Sequence, residues 1–140
     1  MKSSSLNFGI IGNCQSSALI NENSSIDWCC LPQFDSASVF AKILDEQKGG
    51  SFKIECDETY NTSQNYIENT SILVTKFESE ENSFEVIDFM PRYQKENGSF
   101  YSPPEIIRLI KLLRGKPKFK IFYDPKLEYA LGNTNTYRSE

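Results

Sequence analysis

Short apolar runs separated by polar turns favour a fold built of strands, more than any other feature of this sequence. Ser17–Ile20 and Ile26–Leu31 flank Asn21–Ser24, an all-polar segment with two Asn residues that is typical of a turn. This spacing predicts a β-hairpin. Pro32 ends the second strand of the hairpin, because proline has no backbone N–H to donate to a neighbouring strand.

Alternation of polar and apolar residues predicts further strands and one buried acid. The additional predicted strands are Asn7–Gly12, Ser51–Cys56, Ser71–Phe77 and Phe84–Met90, with Glu80–Ser83 as a tight turn and Asp57–Asn65 as a polar loop. In one of these strands Phe84, Val86 and Asp88 share a face, because strand side chains alternate. An Asp on an apolar face needs a partner, and Arg92 is the predicted one.

Two segments have the residue spacing of a helix. Phe34-Asp35-Ser36 resembles a helix entry, in which Asp35 or Ser36 accepts hydrogen bonds from free N–H groups of the first turn. A short helix is predicted over residues 37–46, with Gly49-Gly50 ending it. In Ile106–Leu113, polar residues three apart also favour an amphipathic helix, and a strand that pairs across Arg114–Lys116 is the alternative.

Composition and charge exclude several classes of function. The 140 residues suffice for one domain, and the aromatic fraction of 13% fits a strand-rich globular protein. A net charge of −4 argues against a nucleic-acid partner. Because no apolar run is long enough for a signal peptide or a membrane helix, a cytoplasmic protein without membrane association is expected.

The residues available for chemistry are few. The chain has four cysteines and no histidine, so triads and Cys–His pairs that depend on histidine are excluded. No Cys-x-x-Cys occurs, and the adjacent Cys29 and Cys30 point to opposite faces of a strand, so no metal site and no cofactor are expected. Buried free thiols are the expected state of the cysteines.

Six segments together resemble a known family. They are GIIGNCQSSALI, SIDWCCLPQFDSASVFAKILDEQKGG, YIENTSILVTKFES, VIDFMPR, IIRLIKLLRG and YDPKLEYA. In order and spacing they are similar to the N-terminal domain of bacterial and archaeal family 15 glycoside hydrolases, the glucoamylase, glucodextranase and trehalase-like enzymes. The most specific matches are the W-x-C-x-P-x-F-D-S pattern from Trp28 to Ser36 and the D-F-M-P of Asp88–Pro91.

The resemblance implies an all-β fold, an antiparallel β-sandwich that is part of a larger supersandwich, with residues 1–140 as one N-terminal domain. It implies that Ile106–Leu113 is a strand that turns at Gly115. It also implies that the chain packs, in cis or in trans, against a helical (α/α)6 barrel that lies outside this sequence. That barrel would supply two carboxylates about 6.5–9.5 Å apart for inverting hydrolysis of α-glucosidic bonds.

No catalytic residue can be assigned within this chain, and three residues are weak candidates for substrate binding. Trp28 can stack on a sugar or fill the core, and the core is the simpler interpretation. Asp35 can accept hydrogen bonds from sugar hydroxyls or cap the predicted helix. Gln33 stands where the family usually has Arg, so it lacks the charged fork that would grip a carboxylate or sugar hydroxyls.

Three functions therefore stay open at the level of the sequence. The first is a non-catalytic N-terminal domain that supports a hydrolase barrel and exposes an apolar face toward it. The second is a stand-alone carbohydrate-binding module for an α-glucoside. The third is a structural protein that pairs with a separately encoded barrel.

Overall fold

The computed structural model describes residues 7–137, which form twelve strands and one helical turn. The strands are β1 Phe8–Gly12, β2 Ser17–Asn21, β3 Ile26–Cys30, β4 Ser38–Phe40, β5 Ser51–Cys56, β6 Asn61–Tyr66, β7 Leu73–Glu78, β8 Ser83–Phe89, β9 Tyr93–Gln94, β10 Phe100–Tyr101, β11 Ile107–Arg114 and β12 Phe119–Asp124, and the helical turn is α1 Leu127–Ala130. The predicted all-β class is confirmed.

The strands form two principal antiparallel sheets and a small ribbon. The first sheet has the order β1-β2-β3-β5-β12, with β4 paired to β3, and the second has the order β11-β8-β7-β6. The ribbon consists of β9 and β10. The predicted hairpin is confirmed as β2–β3, where the N–H of Ser24 donates to the carbonyl of Asn21 over 2.9 Å.

The two principal sheets pack against each other through two clusters of buried side chains. One cluster joins Ile11, Ile20 and Ile26 of the first sheet to Leu73 of the second. The other joins Ile54 of the first sheet to side chains of the second, which include Phe84. Because both sheets contribute to both clusters, the architecture is a β-sandwich.

The predicted helix over residues 37–46 is wrong. Ser38–Phe40 is a strand that pairs with β3, and turns occupy the residues after it. The Phe40 ring packs edge-on against Tyr123 at 6.0 Å between centroids, so pairing and packing override the local helical spacing. The turn is held by Asp45, whose carboxylate accepts the backbone N–H groups of Gln47 and Lys48, both at 2.9 Å.

The helical turn lies instead at Leu127–Ala130, near the end of the chain. Glu128 and Tyr129 have φ of 54° and 56°, so the turn has a left-handed backbone. The helical turn follows β12, and no side chain caps its N-terminus. The local sequence pattern does not predict this turn.

Two other assignments made from the sequence can be compared with the structure. The predicted loop Asp57–Asn65 is wrong, because Asn61–Tyr66 forms β6, a polar strand at the edge of the second sheet. Ile106–Leu113 is a strand, as the family resemblance implies, and its helix-like spacing is misleading. In that strand Ile107, Leu109 and Lys111 lie opposite residues of β8 in antiparallel register.

Candidate functional site

A buried ion pair fixes β11 to the rest of the sandwich. Asp88 on β8 is fully buried, and both of its carboxylate oxygens accept hydrogen bonds from Arg108 on β11, at 2.8 and 2.9 Å. Arg108 also donates to the carbonyl of Phe52 at 2.8 Å and to the hydroxyl of Ser24 at 2.7 Å. The predicted Asp88–Arg92 pair is wrong, because Arg108 directly opposes Asp88 in the strand register.

Arg108 is a residue that sequence reasoning missed. A buried Asp needs a cationic partner, and the signal that could have identified Arg108 is its position within the otherwise apolar segment Ile106–Ile110. Local spacing favoured Arg92 because it is close in sequence. Only the long-range register of β8 and β11 selects Arg108.

One end of the sandwich is left open by the strands β11 and β12. Each is an edge strand, of the second and first sheet respectively. Ile110 and Leu112 lie opposite Val86 and Phe84 of β8, which are fully buried in the core. Paired residues of antiparallel strands share a face, so Ile110 and Leu112 are directed toward the sandwich interior, yet Leu112 is 59% exposed.

The other edge strand has the same property. Ile121 and Tyr123 on β12 lie opposite Ile54 and Phe52 of β5, both of which belong to or pack against the core clusters. Ile121 is nevertheless 55% exposed. The apolar interior therefore reaches solvent between β11 and β12, and we call this region, Ile107–Arg114 with Phe119–Asp124, the open end.

The open end is also basic. Of the fifteen Lys and Arg residues of the chain, six lie between Ile107 and Asp124, against one of the nineteen Asp and Glu residues. Lys111 forms a loose ion pair of 3.7 Å with Glu85. Within residues 7–137, Lys116, Lys118 and Lys120 have no carboxylate at ion-pair distance.

The opposite end of the sandwich is closed by polar groups. Here β6 is the edge of the second sheet, and its sequence NTSQNY presents polar side chains. The Tyr66 hydroxyl accepts the N–H of Ile10 at 2.7 Å and donates to its carbonyl at 2.9 Å, so it satisfies backbone groups of the edge strand β1. Gln64 donates to the carbonyl of Asn21 at 2.7 Å and adds a second link between the sheets.

The loop that carries two of the predicted site residues lies on the surface. Gln33 and Asp35 are exposed, and the Leu31–Pro32 peptide bond is cis. The loop is tied down where the Gln33 N–H donates to the Ser36 hydroxyl at 3.1 Å. No helix follows Asp35, so its predicted capping role is wrong.

Gln33 lines a cavity of about 320 Å³, and Trp28 and Asp35 do not. The cavity is also bordered by Gln15, Arg92 and Phe100, with the Arg92 guanidinium 4.0 Å above the Phe100 ring. Amide, guanidinium and aromatic groups beside one another can bind a polar ring compound. The cation already covers one face of Phe100, which limits stacking on that face.

Trp28 and Asp27 both lie on β3. Trp28 is half-buried opposite Leu19 of β2 and does not belong to either core cluster among the described residues. Asp27 is buried and accepts hydrogen bonds from the side chains of Asn21 at 2.9 Å and Ser25 at 2.5 Å, so it pairs within the hairpin. The three predicted substrate-binding residues are therefore not brought together at one cavity.

The four cysteines are free thiols, and their expected burial is confirmed for Cys29 and Cys30 but is wrong for Cys14, which is exposed. Burial raises the pKa of Cys29 to about 12, and the neighbouring Cys30 adds to this shift. Burial also raises the pKa of Cys56 to about 11. Within residues 7–137, no three Cys, Asp or Glu side chains are placed to hold a metal ion.

The fold and the open end define a class of protein, an antiparallel β-sandwich whose core is closed at one end and reaches solvent at the other. Within the described part of the chain, no helix is both long and apolar enough to cross a membrane. The model of the trehalase-like N-terminal domain family matches residues 5–139, and the chain belongs to this family.

Three archaeal relatives show the same match. Trehalase 2 of Sulfolobus acidocaldarius is 37% identical over 131 residues, which cover 94% of this chain and 20% of that protein. The trehalases of Thermoplasma volcanium and Thermoplasma acidophilum are 36% and 37% identical over 125 and 115 residues, or 87% and 80% of this chain. The chain spans about a fifth of the length of these relatives. No solved structure matches it.

Proposed function

We propose that this chain is the non-catalytic N-terminal domain of a trehalase-type glycoside hydrolase, with residues 1–140 as a single domain. Its role is to support and orient a catalytic domain, in cis or in trans, that hydrolyses α-glucosidic bonds. The observation that carries this proposal is the open end, where apolar side chains directed toward the core are exposed beside a cluster of cations. A protein that works alone rarely exposes such a surface.

The two buried carboxylates of the described residues support a non-catalytic role. Inverting hydrolysis needs an acid and a base about 6.5–9.5 Å apart on either side of the substrate. Asp27 and Asp88 are the buried acids of residues 7–137. Both accept hydrogen bonds inside the protein, and neither lines a described cavity.

The finer assignments in this proposal are a trehalase or glucoamylase type of reaction, an (α/α)6 barrel as the catalytic domain, a role in carbohydrate metabolism and a cytoplasmic location. The trehalase names of the relatives support the reaction type. The free cysteines support a reducing compartment, because disulfides form in oxidising ones.

Trehalose hydrolysis tests the proposal. The chain is assayed alone, and after co-expression with a trehalase 2 of Sulfolobus acidocaldarius from which the region matching this chain has been deleted. We expect no hydrolysis by either part alone and hydrolysis by the pair, with maltose and isomaltose as the competing substrates. Hydrolysis by the chain alone, or an inactive pair that forms no complex, would contradict the proposal.

A carbohydrate-binding role is the second candidate, and the cavity at Gln33 favours it. We propose that Gln33 is its polar contact, with Trp28 and Asp35 as the weaker predicted contacts. Calorimetric titration with trehalose, maltose and isomaltose tests this role, and Gln33→Ala should abolish any heat of binding. Glu68→Gln, on an exposed turn outside the cavity, is the matched control. Absence of heat with all three sugars removes this candidate.

A further inference from the structure

We propose that the cavity at Gln33 binds a small sugar acid and that Arg92 recognises its carboxylate. The ligand class is a monosaccharide ring with one carboxylate, such as a hexuronic acid. This inference goes beyond the proposed supporting role, because it gives the chain a ligand site of its own. It also differs from the second candidate function, in which the ligands are neutral glucosides and Gln33 is the polar contact.

Four loops converge on this cavity. They connect β1 to β2, β3 to β4, β8 to β9 and β10 to β11, and they contribute Gln15, Gln33, Arg92 and Ser102 respectively. Strands of both principal sheets therefore carry the walls of the cavity. Loops positioned by a rigid scaffold are where proteins most often place ligand contacts.

Hydrogen bonds fix three of these loops to one another. Asn13 is buried, and its side-chain oxygen accepts the backbone N–H groups of Gln15 and Ser16, both at 3.1 Å. The amide nitrogen of the same side chain donates to the carbonyl of Pro103 at 2.9 Å. The N–H of Phe34 donates to the carbonyl of Gln15, also at 2.9 Å. The backbone around the cavity is thus held before a ligand arrives, which lowers the entropic cost of binding.

The polar side chains that line the cavity are available to a ligand. Within residues 7–137, the side chains of Gln15, Gln33 and Tyr101 make no hydrogen bond, and the two glutamines bond only through their backbone. Amide and phenol groups can both donate to and accept from sugar hydroxyls. Pro32 and Pro104 add apolar surface for the C–H groups of the ring. The volume of about 320 Å³ suits a single ring, because ligand cavities span roughly 300–1,000 Å³.

Charge selects an acid as the ligand. Among the described residues, Arg92 is the one charged residue that lines the cavity, and it forms no ion pair. Its guanidinium lies 4.0 Å above the Phe100 ring, which fixes its plane and leaves its N–H edge free. A carboxylate accepts two parallel hydrogen bonds from such an edge. One cation without an acidic neighbour matches a single negative charge, which favours a carboxylate over a phosphate dianion.

Calorimetric titration of the full 140-residue chain with glucuronate tests the inference. The methyl ester of glucuronate keeps the ring without the charge, and glucose lacks the carboxylate. Both should bind more weakly by about tenfold or more, as expected for the loss of hydrogen bonds to a charged group. Inorganic phosphate, which has no ring, should also bind more weakly than glucuronate. Added salt should weaken glucuronate binding, because the site is open to solvent.

Variants of the β9–β10 ribbon and its flanks identify the residue responsible. Arg92→Gln should weaken glucuronate binding by about tenfold or more, and Arg92→Lys should be intermediate, because lysine keeps the charge and loses the planar fork. Lys95→Gln is the matched control and should bind as the wild type does. Lys95 lies 4.7 Å from the centroid of the Tyr101 ring but does not line the cavity. Circular dichroism confirms that each variant is folded.

The contrary results are distinct. Equal binding of glucuronate and its methyl ester overturns the inference in favour of the second candidate function. Equal binding of inorganic phosphate overturns the sugar ring as part of the ligand. No heat with glucuronate, or unchanged binding by Arg92→Gln, overturns the inference outright. The supporting role stands or falls separately, by trehalose hydrolysis of the co-expressed pair.

Discussion

The guanidinium group of Arg108 connects three parts of the chain at once. It binds the carboxylate of Asp88 on β8, the carbonyl of Phe52 on β5 and the hydroxyl of Ser24 in the β2–β3 turn. It also lies 4.7 Å from the centroid of the Phe52 ring. The five N–H donors of Arg suit this arrangement, because their rigid fork can serve several acceptors. Arg108 therefore fixes the position of β11 relative to both sheets.

Arg108→Met should lower the free energy of unfolding by about 3–5 kcal/mol, because it leaves the buried Asp88 without a counter-charge. Urea denaturation followed by tryptophan fluorescence of Trp28 measures this loss. Lys111→Met is the matched control, since Lys111 forms an exposed ion pair on the same strand, and its cost should be about 1 kcal/mol or less.

The double variant Arg108→Met/Asp88→Leu separates charge from shape. Replacing both partners by apolar groups removes the unpaired charge, so stability should recover most of the loss. If the double variant is as unstable as Arg108→Met alone, the hydrogen bonds to Phe52 and Ser24 are the larger contribution.

Cys29 makes stability depend on pH in the alkaline range. Burial raises the pKa of this thiol from 9.0 to about 12, so the folded state holds its proton at pH values where the unfolded state has lost it. The folded state then binds more protons, and stability falls as pH rises from about 9 to about 12. We expect a loss of about 1 kcal/mol per pH unit above pH 9. Cys29→Ala should have a smaller slope in urea denaturation, and an equal slope would contradict this role.

For single residues, the sequence predicted which side chains are buried better than it predicted which residues they contact. The alternation Phe84, Val86, Asp88 placed a carboxylate in the core, which the structure confirms. Its partner could not be read from spacing, because Arg108 is twenty positions away and reaches Asp88 through strand pairing. The binding roles of Trp28, Gln33 and Asp35 stay predictions.

Among the elements, β6 shows how an edge can be protected without charge. Its Tyr66 reaches across to β1, where the hydroxyl exchanges hydrogen bonds with both the N–H and the carbonyl of Ile10. Two backbone groups that would otherwise offer an edge to another strand are thereby occupied.

Tyr66→Phe should therefore lower the free energy of unfolding by about 1–2 kcal/mol, as expected for the loss of hydrogen bonds that leaves backbone groups unsatisfied. It should also speed hydrogen exchange of the Ile10 amide. Tyr93→Phe removes a hydroxyl from another exposed tyrosine, which has no hydrogen bond among the described residues, and should change neither quantity. Unchanged exchange at Ile10 in Tyr66→Phe would show that this edge is protected in another way.

Among the strands, hairpins with a clear turn sequence were predictable, and strands whose pairing has no local sequence signal were not. The turns at Asn21–Ser24 and Glu80–Ser83 carry their signals locally, and both hairpins are present. The segment Ser38–Phe40 has the residue spacing of a helix, but it pairs with the edge of β3 and is therefore a strand. Asn61–Tyr66 is polar throughout, so its pairing with β7 has no apolar alternation to reveal it. Ile107–Arg114 was assigned correctly only through the family resemblance.

In the molecule as a whole, the two core clusters are joined by the same pair of sheets, so they should unfold together. Phe84 lies at the centre of one cluster, stacked on Phe77 at 4.7 Å and on Phe119 at 5.2 Å between ring centroids. Strand β2 contributes to the other cluster through Ala18 and Ile20. A β-sandwich whose sheets share both clusters has no division along which one half could open independently, and domains of this size usually unfold in one step.

Phe84→Ala should lower the free energy of unfolding by about 3–5 kcal/mol, because it removes a fully buried ring from a stacked set. If unfolding is cooperative, the slowest-exchanging amides of Ser17–Asn21, which lie in the other cluster, should lose the same free energy of protection. Native-state hydrogen exchange measures that loss, and Ile10→Ala, at an exposed position on β1, should leave it unchanged. Full protection of β2 in Phe84→Ala would show that the two clusters unfold separately. The end of the sandwich between β11 and β12 would then be a region of its own, which a partner could stabilise without stabilising the rest.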